Sequence, residues 1–129
     1  MKSLRSPLGR VVGLGSAKGG VHHWWLQRLT SVALVPLTLW FVVSMLSLAS
    51  FDHVTLIAWM AQSWTSLLLI LLVLVSAYHS QLGVQVVVED YIHDRGMKTL
   101  ILVMVTFLHA LLAAAGVFAI LKVSFGGAA

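Results

Sequence analysis

Charged side chains divide this chain into three long apolar runs. No charged residue lies between Arg28 and Asp52, and the run 29–50 is about 33 Å long as a helix, enough to cross a hydrocarbon core of about 30 Å. Pro36 falls inside it and is expected to kink it, which neighbouring helices can tolerate. The second uncharged run, 53–88, ends at Glu89 and is longer than one crossing needs. Its span is placed at 63–88, and 54–62 reads as a loop or a helical extension on the far side. The third run, 99–121, is bounded by Lys98 and Lys122. The pattern predicts an all-α integral membrane protein with one domain over 1–129, an N-terminal segment 1–23, and spans at about 24–50, 63–88 and 99–121.

Composition agrees. Of 129 residues, 60% are hydrophobic and 9% charged, whereas a soluble domain carries about 25% charged residues. There is no Cys, which excludes disulfides, thiolate metal sites and iron–sulfur ligation by this chain. The net charge of +4 is too small and dispersed to point to nucleic acid. Basic residues instead report direction. Lys2, Arg5, Arg10, Lys18 and Arg28 precede or open the first span, the loop around Asp52 and His53 has none, the second loop holds Arg95 and Lys98, and the tail holds Lys122. The positive-inside rule then puts the N-terminus in the cytoplasm (or the mitochondrial matrix) and the C-terminus in the periplasm. A cleaved signal peptide is not expected, because the first apolar run is too long for an h-region and no A-x-A site follows it. The basic, acid-free N-terminus faintly resembles a transit peptide, but it is short, so a bacterial inner membrane is expected rather than a mitochondrial one. The tail 126–129 is expected to fray.

Polar residues at membrane depth cost free energy unless paired or used. His79 lies about 15 Å before the end of its span, near mid-membrane. Its imidazole suits either a hydrogen bond to a neighbouring helix or an axial bond to haem iron. His109 lies at similar depth on the next span. It reads as an interhelical hydrogen bond, although a bis-histidine haem with His79 is geometrically possible. Asp90 and Tyr91 follow His79 by 11 and 12 residues, and Asp90 returns to nearly the same face at the cytoplasmic surface. A Tyr hydroxyl there can donate to a quinone carbonyl, with the carboxylate orienting it or relaying protons; interfacial anchoring is the plainer reading. Gln81 and Gln85 share a different face and read as interhelical hydrogen bonders, as do Ser76 and Ser80. Gly83 could admit a close helix or a flat macrocycle. Trp24 and Trp25 are interface anchors. Arg28 either snorkels to headgroups or pairs with an anion such as a haem propionate, which His22 could assist.

The order Gly20-Val21-His22, Arg28-Leu29-Thr30 and then His79 with Asp90-Tyr91 resembles the hydrophobic membrane anchor subunit of bacterial succinate dehydrogenase. In that family the pattern reads Gly-Val-His, an Arg six residues after that His, and a His followed 11 and 12 positions later by Asp-Tyr. The resemblance covers most of the chain, although its specificity rests on about six positions, since the intervening Leu, Val and Ala are generic lipid-facing residues. It implies that His79 is an axial ligand of haem b, that Tyr91 hydrogen-bonds ubiquinone with Asp90 beside the pocket, and that Arg28 and His22 approach the haem propionates. It also implies that the second axial histidine comes from another cytochrome b-type anchor subunit, so His109 takes no haem role. The doubled His22-His23 departs from the pattern and leaves open which histidine faces the haem.

By the same resemblance, a flavoprotein oxidises succinate in the tricarboxylic acid cycle and an iron–sulfur subunit carries electrons to ubiquinone in the respiratory chain. This chain has no Cys and no nucleotide-binding motif. It is expected to be no enzyme on its own, but to dock the soluble pair and help to hold haem and quinone in the lipid. Three rivals stand beside this reading: a single-chain b-type cytochrome using His79 and His109, a cofactor-free transporter or assembly factor, and a fumarate reductase anchor.

Overall fold

The structure is a computed structural model and describes residues 20–126. Lys2, Arg5, Arg10 and Lys18, most of the segment 1–23 and the tail 127–129 lie outside the described residues. Four helices follow one another: α1 (Gly20–Leu46), α2 (His53–Met60), α3 (Ser63–Tyr91) and α4 (Arg95–Gly126). Three of them, α1, α3 and α4, are long and apolar enough to cross a membrane. They differ from the predicted spans at their ends. With 29 residues, α3 is about 44 Å long, and α4 runs from Arg95 through Lys122 to Gly126. A charge limits how far lipid can cover a helix, but it does not end the helix, because backbone hydrogen bonding continues into the headgroup layer. Helix α1 stops at Leu46 and passes through Pro36 without interruption.

The 54–62 stretch is a short separate helix. Asp52 caps it, with Oδ1 accepting from Thr55 N at 2.8 Å, a carboxylate on an otherwise orphaned backbone donor. Trp59 fastens α2 to α1: its indole N–H donates to Ser44 Oγ at 3.0 Å and its ring stacks on Trp40 with centroids 6.2 Å apart. Trp59, Leu69 and Ile120 form the buried apolar cluster, backed by Phe41, Met45 and Val73. Ser66 Oγ ties this end together, donating to Met60 O at 2.6 Å and bonding Ser124 Oγ at 3.0 Å.

α3 is the central element. Both α1 and α4 pack along it, and among the described residues the backbones of α1 and α4 stay apart. A row of helices has little interior, and no described side chain is fully buried. Leu46, Val32, Phe107 and Phe118 stand outward, mostly exposed. In water such a surface drives association; in a bilayer it is the solvent-facing side.

Antiparallel α3 and α4 pack tightly at Gly116, where an added Cβ would stand 2.9 Å from Val73 Cγ1. At Gly83 the same atom would meet Gln27 Nε2 at 3.8 Å, an ordinary contact. The close helix contact is thus at Gly116 rather than at Gly83. Val73 is β-branched and cannot easily turn its methyl aside.

Gly116→Ala is expected to weaken α3–α4 packing by about 1–3 kcal/mol, seen as a lower unfolding midpoint in detergent, with a smaller effect from Gly83→Ala. A second expectation concerns Asp52. Its carboxyl is held below the ordinary 3.8, first by the Ser50 hydroxyl and then by the Thr55 amide and hydroxyl, all of which favour the charged form. The cap's contribution is then present above pH 3.8 and lost as pH falls through the lower folded value. A carbon-13 titration in nanodiscs should place the midpoint below 3.8, and Asp52→Asn should remove any acid-induced fraying of α2.

Candidate functional site

His79 sits on α3 about 18 Å before its Tyr91 end and about 24 Å after Ser63, close to the middle of the helix. Its ring turns toward α1. His79 Nδ1 lies 2.9 Å from Thr30 Oγ1, and Gln27 Nε2 lies 3.4 Å from His79 Nε2. Thr30 is buried, and its hydroxyl is 2.8 Å from Leu26 O and 3.1 Å from Gln27 O. A carbonyl can only accept, so the Thr30 proton goes to Leu26 O, the usual bond of a helical threonine to the preceding turn. Its oxygen then accepts Nδ1–H of His79. The amide nitrogen of Gln27 can only donate, so Nε2 of His79 carries a lone pair. Both flanking groups select one tautomer.

His23, Gln27 and Thr30 are spaced i, i+4, i+7 and form one polar stripe of α1 facing α3. Two atoms of this stripe, His23 Nε2 and Gln27 Oε1, are buried without a hydrogen-bond partner. Orphaned polar atoms in a span are costly and ask for a ligand or a partner. The reading of residue types missed this stripe. The heptad-like spacing of three polar residues within an apolar helix was the available signal.

The other sequence-predicted residues stand apart from His79. Arg28 is roughly 200° around α1 from Thr30 and lays its guanidinium on the Trp24 ring, 5.4 Å from the centroid. His22 is exposed, and of the doubled pair it is His23 that lies on the inward stripe. Asp90 and Tyr91 occupy the last positions of α3, both exposed, Tyr91 at 79%. The loop beyond them is held by Lys98 Nζ, which donates to Glu89 O at 3.0 Å, and by Asp94, whose Oδ1 accepts from Met97 N at 2.7 Å.

On the opposite side of α3, His109 is satisfied within the protein. Its Nδ1–H donates to Val105 O at 2.8 Å, so Nε2 accepts from the Ser80 hydroxyl at 3.2 Å. His79 thus faces α1 and His109 faces α3 from α4, and the two imidazoles do not converge. Gln81 reaches Thr106 on α4 at 3.5 Å, whereas Gln85 bonds Glu89 within α3 at 2.8 Å. An open cleft of about 280 Å³, lined by Leu74, Tyr78, Gln81, Thr106, His109 and Ala113, lies on this α4 side, away from the His79 lone pair.

What His79 can hold follows from its donor set. Among the described residues, no three His, Cys, Asp or Glu side chains converge, so there is no cage for a bare ion. One neutral imidazole with an oriented lone pair, met only by the long Gln27 contact, fits a metal that brings its other ligands with it, as the iron of a haem does. Gln27 is the side chain standing over that lone pair, and its amide oxygen has no partner to hold it in place.

Comparison with known proteins agrees with the resemblance at the level of the family. Residues 2–115 match the family described as succinate dehydrogenase/fumarate reductase transmembrane subunit. A succinate dehydrogenase hydrophobic membrane anchor subunit of Rickettsia bellii is 37% identical over 102 residues, covering 78% of this chain and 81% of its own. The protein of the same name from Paracoccus denitrificans is 30% identical over 121 residues, 94% of this chain and 93% of its own. With a match that runs from the segment before α1 deep into α4, this chain belongs to the succinate dehydrogenase/fumarate reductase transmembrane subunit family and is a membrane anchor.

Proposed function

We propose that this chain anchors a bacterial succinate dehydrogenase in the inner membrane, giving haem b one axial ligand through His79 and forming part of the ubiquinone-reduction site through Tyr91 and Asp90. One observation carries the reading: at mid-span, where a polar side chain needs a reason, His79 presents an oriented Nε2 lone pair with its other nitrogen already engaged. The second axial histidine is assigned, as the family resemblance implies, to another anchor subunit, and the bonds of His109 to Val105 O and Ser80 support leaving it out. Arg28 and His22, in the first turns of α1 at the Tyr91 end, are the partners assigned to the propionates, with the inward His23 beside them.

The basic N-terminal segment and the Arg95–Lys98 loop support a cytoplasmic location for that end. Ubiquinone reduction takes up protons, so its pocket must touch water. Tyr91 and Asp90 do so, beside Glu89, His93 and Asp94. The Tyr91 hydroxyl donates to a quinone carbonyl, where negative charge grows as electrons arrive, and the Asp90 carboxylate orients that hydroxyl and returns its proton from solvent. Haem, when held by His79, would supply a one-electron carrier for this chemistry. The flavoprotein and iron–sulfur subunits that feed the site dock on this same end. The row-like fold, with its outward apolar surface, is suited to lying among lipid and partner helices.

His79→Leu should leave the assembled complex without its normal haem spectrum; an unchanged spectrum refutes the ligand role. Tyr91→Phe should lower succinate–quinone activity on the order of a hundredfold while dye-linked succinate oxidation persists. Equal loss of both activities points to assembly instead.

A further inference from the structure

We infer that Thr30 is the positioning residue of the haem ligand: it accepts Nδ1–H of His79 and so fixes both the ring's plane and the nitrogen that faces the iron. The inference rests on the ligand reading above and adds a residue to it. Three observations carry it. Thr30 Oγ1 is 2.9 Å from His79 Nδ1, its own proton is committed to Leu26 O at 2.8 Å, and the residue is buried. The bond to the preceding turn locks the threonine rotamer, so the acceptor is aimed before any metal arrives. Gln27 takes the opposite role. Its amide rests against Nε2 at a long 3.4 Å and, with Oε1 unpartnered, is a loose cover that a ligated iron would have to displace, whereas the shorter Thr30 bond would stay.

A ligating imidazole whose second nitrogen donates a hydrogen bond is more basic, and its orientation is fixed; loss of such a partner typically costs 10–100-fold in metal affinity. The more electron-rich ligand favours ferric over ferrous iron. Removing the Thr30 acceptor therefore raises the haem midpoint potential, by about 59 mV for each tenfold loss of ferric over ferrous affinity.

The test uses the whole complex carrying Thr30→Val, Thr30→Ser or His79→Leu. Thr30→Val should assemble and bind haem, but release it to a haem acceptor about 10–100-fold more readily, show an upshifted potential, and give altered low-spin electron paramagnetic resonance g-values. Thr30→Ser, which keeps the hydroxyl, should restore all three. If Thr30→Val does not assemble, Thr30→Ala is read in the same way. Wild-type potential and g-values in the hydroxyl-free variant, with haem absent from His79→Leu, overturn the positioning role and leave the ligand reading intact. Normal haem in His79→Leu overturns the ligand reading itself.

Discussion

A bilayer offers an imidazole no water, and in this chain Thr30 takes water's place for His79. The contact joins the middle of α3 to α1 through a single hydrogen bond. An unsatisfied buried N–H costs about 1–3 kcal/mol, so the bond holds the ring toward α1 rather than toward acyl chains. It also decides which nitrogen keeps its lone pair, and that choice precedes any coordination chemistry. The same rule explains His109, where a carbonyl of its own helix and a serine across the interface use both nitrogens. Two histidines at similar depth thus differ in what they can do because their partners differ.

The fold serves this arrangement by keeping α3 in the centre. Antiparallel α1 lies along one side of it and α4 along another. Trp59, Leu69 and Ile120 form a buried apolar cluster at the end where α2 braces the long helices, and Gly116 lets α4 approach there without a side chain between backbone and Val73. The Tyr91 end carries the exposed polar residues.

The three spans were legible because lipid imposes a simple requirement, uncharged runs of sufficient length, and the chain meets it three times. Their ends were not, since a helix can outlast its hydrophobic stretch. Helix α2 was ambiguous because a short apolar run fits a helix or a loop, although Asp52 three residues before Thr55 was a capping signal. His79 stood out from its depth alone. Its partners did not: Thr30 and Gln27 look ordinary until the i, i+4, i+7 spacing with His23 is laid on a helix that packs against α3. Gly83 and Gly116 are equivalent as letters, and only the neighbour, an amide end in one case and a branched methyl in the other, separates them.

The most direct measurement is nitrogen hyperfine spectroscopy of the ferric haem in a complex reconstituted with this subunit alone labelled with nitrogen-15 histidine. Coordination by His79 with a second histidine from another anchor subunit gives one strongly coupled axial nitrogen-15 and one axial nitrogen-14. Two axial nitrogen-14 couplings mean that no histidine of this chain touches the iron, and two of nitrogen-15 mean that the chain holds the haem by itself; either result contradicts the arrangement built on His79 and Thr30.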